Sequence, residues 1–173
     1  LINAAGAWSN HVAELAQVDT LPLTPLRRTA AIVPAPENCR DWPLLHTIKE
    51  NLYFKPESPG LMVCPQDETP SPAMDAYAHD IDIAQAMDTF TQVADFDVKT
   101  VMHSWAGLRT FTPDRFPAVG FDSKHPEFFW LAGQGGFGIQ TSPGLGALAA
   151  DLVKHKRPQD AQQLVEQIRV ERF

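Results

Sequence analysis

Fifteen prolines are spread through a chain of 173 residues, and their distribution limits the fold more than any other feature of the sequence. A proline inside a helix removes a backbone hydrogen bond and clashes with the preceding turn, at a cost of about 3 kcal/mol. Long uninterrupted helices are therefore not expected, and the pattern of apolar residues between the prolines reads as short strands with a few short helices, an α+β chain. Leu1–Trp8 is an apolar run that reads as a strand ending at a glycine turn, followed by a helix over residues 9 to 17, with Ser9-Asn10 as its N-cap and Val12, Leu15 and Ala16 as its buried stripe. Residues 21 to 33 read as strand. The runs 52 to 55 and 61 to 64 flank Pro56-Glu57-Ser58-Pro59-Gly60 and predict a hairpin. Residues 67 to 80, rich in Asp, Pro and Ser, predict a surface loop. Ile83, Ala86, Met87 and Phe90 recur at helical spacing, so residues 82 to 93 predict an amphipathic helix. Strands are expected over 98 to 106 and 128 to 132, both apolar enough to be buried. A helix over 142 to 155 follows, with Pro143 in its first turn and Leu145, Leu148, Ala149 and Leu152 as its stripe, and a short helix is expected within 158 to 173.

With 44% apolar and 20% charged residues the chain can build a core. Its formal charge of −7 argues against a phosphate-tracking surface, because nucleic-acid binders concentrate Lys and Arg on one face. No stretch reaches the roughly 20 apolar residues a membrane helix needs, and no charged segment precedes an apolar one at the start. Cys39 and Cys64 lack CxxC spacing and read as reduced thiols of a cytoplasmic protein. His46, His79 and His103 show no metal spacing. The opening Leu1, inside an apolar run with no initiator Met, leads to the expectation that the upstream partner strands lie in a longer parent protein.

Two segments could carry chemistry. Gly133-Gln134-Gly135-Gly136-Phe137-Gly138 satisfies G-x-G-x-x-G between a buried strand and a helix. Such a turn lets backbone approach a ligand, and the helix beyond it offers free N–H groups and a positive dipole end. A dinucleotide fingerprint also needs an acidic residue about 20 positions on and a further βαβ half. Only 35 residues follow Gly138, too few for that half, so a tight turn with no ligand is the competing reading. The second segment runs from Trp105 to Gly120. In it Arg109 follows a strand and a glycine, placed either to pair with a carboxylate of the protein or to hold one on a ligand, which a planar guanidinium does in bidentate fashion.

Three separated segments together carry a resemblance. Ile2-Asn3-Ala4-Ala5-Gly6-Ala7-Trp8, then Gly107-Leu108-Arg109 with Pro113-Asp114 and Pro117, then Gly133-Gln134-Gly135-Gly136 with Ile139 and Ser142-Pro143, match in order and spacing. Over about residues 1 to 155 the chain resembles the D-amino-acid oxidase superfamily of FAD-dependent oxidoreductases, in its glycine oxidase, sarcosine oxidase and DadA-like branch. The resemblance implies a C-terminal fragment: residues 1–19 a remnant of the FAD-binding domain, 20–105 a mostly antiparallel substrate domain, 106–157 the return to the FAD-binding domain, and 158–173 a tail. It implies that FAD is bound noncovalently, mostly by the missing N-terminal half, with Gly6, Ala7, Trp8, Gly107, Gly133, Gln134, Gly135, Gly136, Gly138 and Ile139 contributing. It places Arg109 and Tyr53 at the substrate carboxylate and assigns no acid–base residue. Glycine oxidase-like members carry an arginine where this chain has Gly136, so strict glycine specificity is not expected. The implied reaction is oxidation of the C–N bond of a small amino acid or secondary amine by hydride transfer to flavin. Two other readings stand beside it, a non-catalytic remnant or interaction module and a small nucleotide-binding domain built on Gly133–Gly138. Former domain-interface surface implies self-association.

Overall fold

The computed structural model describes residues 1–49, 51–95, 97–156 and 158–173. In chain order its elements are β1 (Ile2–Asn3), α1 (Ser9–Leu15), β2 (Thr24–Val33), β3 (Leu45–His46), β4 (Tyr53–Glu57), β5 (Gly60–Cys64), β6 (Thr69–Pro70), α2 (Asp80–Val93), β7 (His103–Phe111), β8 (Ala118–Phe121), β9 (Phe129–Ala132), α3 (Gly138–Val153) and α4 (Gln162–Ile168). This is an α+β fold with mostly antiparallel pairing. The chain forms two compact units, one made of Leu1–Pro25 with Arg109–Phe173 and the other of Leu26–Leu108. The expected limits at residues 20 and 105 fall a few positions before these. The last segment joins the first unit, where Ile168 and Val170 are buried.

In the second unit the strands lie in the order β3-β4-β5-β2, with β6 and β7 also on β2. The hairpin register sets Phe54 opposite Val63 and Pro56 opposite Leu61, and β2 adds Val33 opposite Leu61. Because side chains alternate across a strand, Val33, Phe54, Leu61 and Val63 form the buried face, with Leu52 beside them. Helix α2 lays Phe90 and Met87 on this cluster, and the Phe54 and Phe90 rings meet edge to face at 4.9 Å. Burying a side chain such as Phe90 is worth about 1.5–3 kcal/mol. The expected periodicity of α2 is thus the one the core uses.

The same unit contains a buried polar cluster that the sequence reading did not foresee. Arg27 is 8% exposed. Its guanidinium donates to Asp82 Oδ2 at 2.5 Å and to His79 Nε2 at 3.0 Å, with Asp67 3.8 Å away. Arg28 donates to Asp67 O and Glu68. Asp67 also takes the N–H and hydroxyl of Thr29, filling the interval between the stretches of β2 that pair with β5 and β6. The segment expected to be a plain surface loop is therefore tied to β2 by charge.

In the first unit β9 lies between β1 and β8, antiparallel to β8 and parallel to β1. Phe128, Trp130 and Ala132 pack with Ala13, Val18 and Val170 on one side, while Phe129 packs with Val119, Leu148, Ala149 and Ile168 on the other. A strand covered on both faces needs a continuous apolar run, which is why residues 128–132 were legible.

Three local expectations are corrected. In α1 the N-cap is Trp8, with no side-chain cap, and the buried residues are Ser9 and Ala13, while Leu15 is 74% exposed. Asn10 instead brackets Leu21, donating to its carbonyl and accepting from its N–H. Strand β7 begins at His103 and runs to Phe111, with His103, Trp105 and Gly107 exposed, so it is not buried throughout. Helix α3 begins at Gly138 and encloses Pro143. The missing N–H of Pro143 would leave the Ile139 carbonyl open, and the Ser142 hydroxyl donates to it at 2.8 Å.

Candidate functional site

Strands β1 and β9 are neighbours and parallel, with Ile2 opposite Phe129 and Asn3 opposite Trp130. The turns that follow them therefore leave from the same, carboxyl, end of the sheet, where ligands bind in open sheets of this kind. This topology brings Gly6, Ala7 and Trp8 together with Gly133, Gln134, Gly135, Gly136, Gly138 and Ile139. The two turns share one local design. Each is a short 3₁₀ turn, Gly6-Ala7-Trp8 and Gly135-Gly136-Phe137, in which the glycine takes φ +57° or +55° and the aromatic residue leads straight into a helix. Left-handed backbone of this type costs any side chain with a Cβ about 1–2 kcal/mol. No repeat was visible in the sequence, because only glycine, a small residue and an aromatic are common to both.

Neither helix is capped by a side chain at its start. The first N–H groups of a helix have no intrahelical partner, so the N-terminus of the 16-residue α3 presents open donors and the positive end of its dipole. A Cβ added at Gly135 would lie 2.4 Å from the Phe111 ring, whereas one at Gly136 would meet nothing within 4 Å. Gly135 is thus required by packing, and Gly136 leaves backbone accessible. Ile139, on the first turn of α3, is 90% exposed. Around β1, Asn3 is buried, donates to Ser9 O and accepts from the Ala5 N–H, which fixes the first turn.

Arg109 lies near the end of β7, half-buried, and Phe111 two residues on is bridged to Gln134 of the glycine turn. Among the described residues Arg109 has neither a carboxylate partner nor a hydrogen-bond acceptor. Thr110 beside it has a buried hydroxyl that is also without a partner there. Gly107 sits in mid-β7, exposed, with nothing within 4 Å of an added Cβ. Tyr53 belongs to the second unit, half-buried on β4.

Sequence reasoning missed the residues that hold the loop after Arg109. Arg172, near the end of the chain, binds Asp114 in bidentate fashion at 2.6 and 3.1 Å and also donates to Phe116 O at 2.7 Å. The Thr112 hydroxyl lies 2.9 Å from Asp114 Oδ1 and 2.6 Å from Phe116 O. The hydrogen bond from Arg172 holds the Asp114 carboxyl at about 2, helped by the Phe116 N–H and the Thr112 hydroxyl against a smaller cost of burial. Arg115, at φ +64°, sets its guanidinium 4.5 Å above the Phe111 ring. The signal in the sequence was Pro113-Asp114, whose partner 58 residues away could not be guessed.

No group of His, Cys, Asp or Glu able to hold a metal is present among the described residues. Cys39 and Cys64 are buried free thiols. No helix among the described residues is long and apolar enough to cross a membrane.

A family model described as FAD dependent oxidoreductase matches residues 1–152. The chain is 31% identical over 171 residues to the FAD-dependent oxidoreductase domain-containing protein 1 of Xenopus laevis, covering 88% of this chain and 34% of that protein. It is 28% identical over 166 residues to glycine oxidase of Geobacillus kaustophilus, covering 90% of this chain and 41% of that protein. In fold it is similar to L-proline dehydrogenase from P. horikoshii, with a TM-score of 0.78, 24% identity, and coverage of 90% of this chain and 43% of that one. The chain thus spans well under half the length of each of these relatives. The match over residues 1–152, on a fold whose parallel β1–β9 pair presents two glycine turns, shows that this chain belongs to the family of FAD dependent oxidoreductases.

Proposed function

We propose that the chain is the C-terminal part of an FAD-dependent oxidoreductase that oxidises the C–N bond of a small amino acid or secondary amine. The observation that carries the substrate reading is Arg109, a half-buried guanidinium with no carboxylate partner among the described residues, two positions from the strand bridge to the glycine turn. A guanidinium with no acid beside it leaves its fork of N–H donors open, and a substrate carboxylate matches that fork.

The residues present fit FAD. The uncapped N-terminus of α3 and the open backbone at Gly136 offer donors to an electron-rich ring edge, and no acidic side chain stands in the first turn of that helix. The set Gly6, Ala7, Trp8, Gly133, Gln134, Gly135, Gly136, Gly138 and Ile139 forms the part of the cofactor site that this chain supplies, with Gly107 assigned to it by the family resemblance. Binding is noncovalent in this reading, by the family resemblance. Exposed apolar side chains such as Ile2 and Ile139 support covering of this surface, either by the remainder of the parent chain or by self-association. A cytoplasmic location belongs to the same reading.

When bound, FAD supplies a two-electron acceptor for hydride from the substrate Cα. Arg109 holds the carboxylate through two parallel hydrogen bonds, which fixes both the position and the orientation of the Cα–H bond. Tyr53 is assigned to substrate binding by the family resemblance. The N–H groups and dipole of α3 stabilise negative charge as it develops. The imine product hydrolyses in water.

The test is anaerobic flavin bleaching in the intact protein with glycine, sarcosine and a panel of D-amino acids, in wild type and Arg109→Ala. Wild type should bleach with at least one of these, and the variant should need ~10- to 100-fold more substrate, the loss of a charge-assisted bidentate pair. A folded intact protein without flavin absorbance, or an Arg109→Ala variant with unchanged substrate dependence, refutes the reading.

A further inference from the structure

We propose that His46 is a positioning residue of the substrate site: held by Gln66, it fixes the plane of the Tyr53 ring and so the place of the Tyr53 hydroxyl. The proposal rests on the reading that Tyr53 contacts the substrate.

The β3–β4 hairpin is closed between Thr47 and Leu52. Thr47 N–H donates to Leu52 O at 2.8 Å, and the Thr47 hydroxyl lies 3.0 Å from both Leu52 O and Leu52 N. Leu52 is fully buried in the core of the second unit. This closure pins the register, so that His46 stands directly opposite Tyr53 and Leu45 opposite Phe54. A slip of one residue would turn every side chain to the other face. Phe54 points into the core, hence Tyr53 and its partner His46 share the opposite, half-open face.

There the two rings are parallel within 5°, with centroids 6.4 Å apart. The third strand supplies the support. Tyr53 pairs with Cys64, and two residues beyond, where Gln66 takes φ +53°, the chain turns and the Gln66 amide nitrogen comes to 2.8 Å from His46 Nε2. An amide nitrogen has only protons to offer, so Nε2 accepts in this contact. The β3–β4 pair thus supplies the two rings, and Gln66, just beyond β5, holds His46 by one hydrogen bond.

The core of the unit does not need this layer. Leu52, Phe54, Leu61, Val63 and Phe90 build that core, while His46 itself is exposed on a two-residue edge strand. What the layer constrains is rotation of the tyrosine side chain. A tyrosine hydroxyl lies at the end of a long lever, so a small swing of the ring moves it out of hydrogen-bond range, and catalytic geometry is sensitive to shifts of about 1 Å. His46 acts on substrate through Tyr53, which predicts an effect on binding rather than on the chemical step.

The experiment is a double-mutant cycle in the intact flavoprotein, with His46→Ala, His46→Phe and Tyr53→Phe. The readouts are KM and kcat for the best substrate of the panel, and the Kd of acetate as a competing carboxylate measured from the flavin spectrum. Loss of one aromatic pair corresponds to about threefold to tenfold. His46→Ala should raise KM and the acetate Kd by that factor and leave kcat within about twofold. His46→Phe, which keeps a flat ring against Tyr53 but loses the bond to Gln66, should recover only part of the loss. In the Tyr53→Phe background His46→Ala should add nothing, because the hydroxyl it positions is gone. An unchanged KM in His46→Ala, or an equal rise in both backgrounds, overturns the proposal while leaving the Arg109 clamp intact. An intact wild type that no amine reduces overturns the enzymatic reading and this proposal together.

Discussion

Replacing Gly135 by alanine tests the glycine turn most sharply, because the structure supplies two separate penalties for one methyl group. The first is conformational: Gly135 has φ +55°, where a Cβ costs about 1–2 kcal/mol. The second is steric, since the added Cβ would lie 2.4, 2.7 and 3.0 Å from Cε1, Cδ1 and Cζ of Phe111. That ring is 6% exposed, carries the Arg115 guanidinium 4.5 Å above it, and belongs to the residue bridged to Gln134, so it has little room to retreat. Forcing a methyl into such packing costs typically 1–3 kcal/mol. Together the expected loss is about 2–5 kcal/mol, a large part of the 5–15 kcal/mol that usually separates native from unfolded protein. At roughly 2–4 °C per kcal/mol for a chain of this size, thermal unfolding should shift down by roughly 4–20 °C. Gly136→Ala is the control, because nothing lies within 4 Å of its Cβ. It should change stability by less than about 0.5 kcal/mol. Phe111→Leu in the Gly135→Ala background should recover part of the loss. A Gly135→Ala protein that unfolds with the wild type, or a Gly136→Ala protein that is equally destabilised, refutes the assignment of packing to one glycine and access to the other.

Two further outcomes follow from the ion pairs. Arg172 holds the Asp114 carboxyl at about 2, below its unfolded value of about 4, so this pair contributes stability above pH 4 that is lost as the pH falls towards 2. At face value the shift corresponds to about 2.5 kcal/mol, and with the Asp114 side chain 38% exposed, solvent screening reduces it to on the order of 1 kcal/mol. Asp114→Asn should flatten the acid limb of the stability–pH curve between pH 4 and 2, and an unchanged limb would show that the pair is idle. Arg27→Ala should cost about 3–5 kcal/mol in denaturant unfolding, because it strands Asp82 and Asp67 as buried charges. A cost under 1 kcal/mol would mean that water already screens the cluster.

What could be read before the structure was known follows from how far each signal travels along the chain. Helix α2 and the β4–β5 hairpin are encoded within about a dozen residues each, by helical spacing of Ile83, Ala86, Met87 and Phe90 and by two strand runs around Pro56–Gly60. Strand β9 was legible because burial on both faces demands an unbroken apolar run. The limits of α3 were not. Gly138 is a poor helix former, yet the helix starts there, directly after the Gly135 turn, with Ser142 repairing the gap that Pro143 leaves. The stripe of α1 was misjudged for a similar reason: periodicity says that a helix has a buried side, but the neighbours Trp130 and Val170 decide that Ala13 lies on it and Leu15 does not.

The same division runs through the site. The glycines, Arg109 and Pro113-Asp114 stand out in sequence because turns and bidentate clamps require particular residue types. Their partnerships did not, since the bridge from Phe111 to Gln134, the grip of Arg172 on Asp114 across 58 residues, and the hold of Asp82 on Arg27 across 55 are made between segments that local propensity does not relate. The sequence alone determined which backbone positions must be bare and where a guanidinium stands. Only the tertiary structure decided which guanidinium is spoken for: Arg27 is buried between two aspartates, and Arg109 meets no acid among the described residues. The physical reason is that the charge state of an arginine is invariant while its counter-ion is a matter of three-dimensional packing.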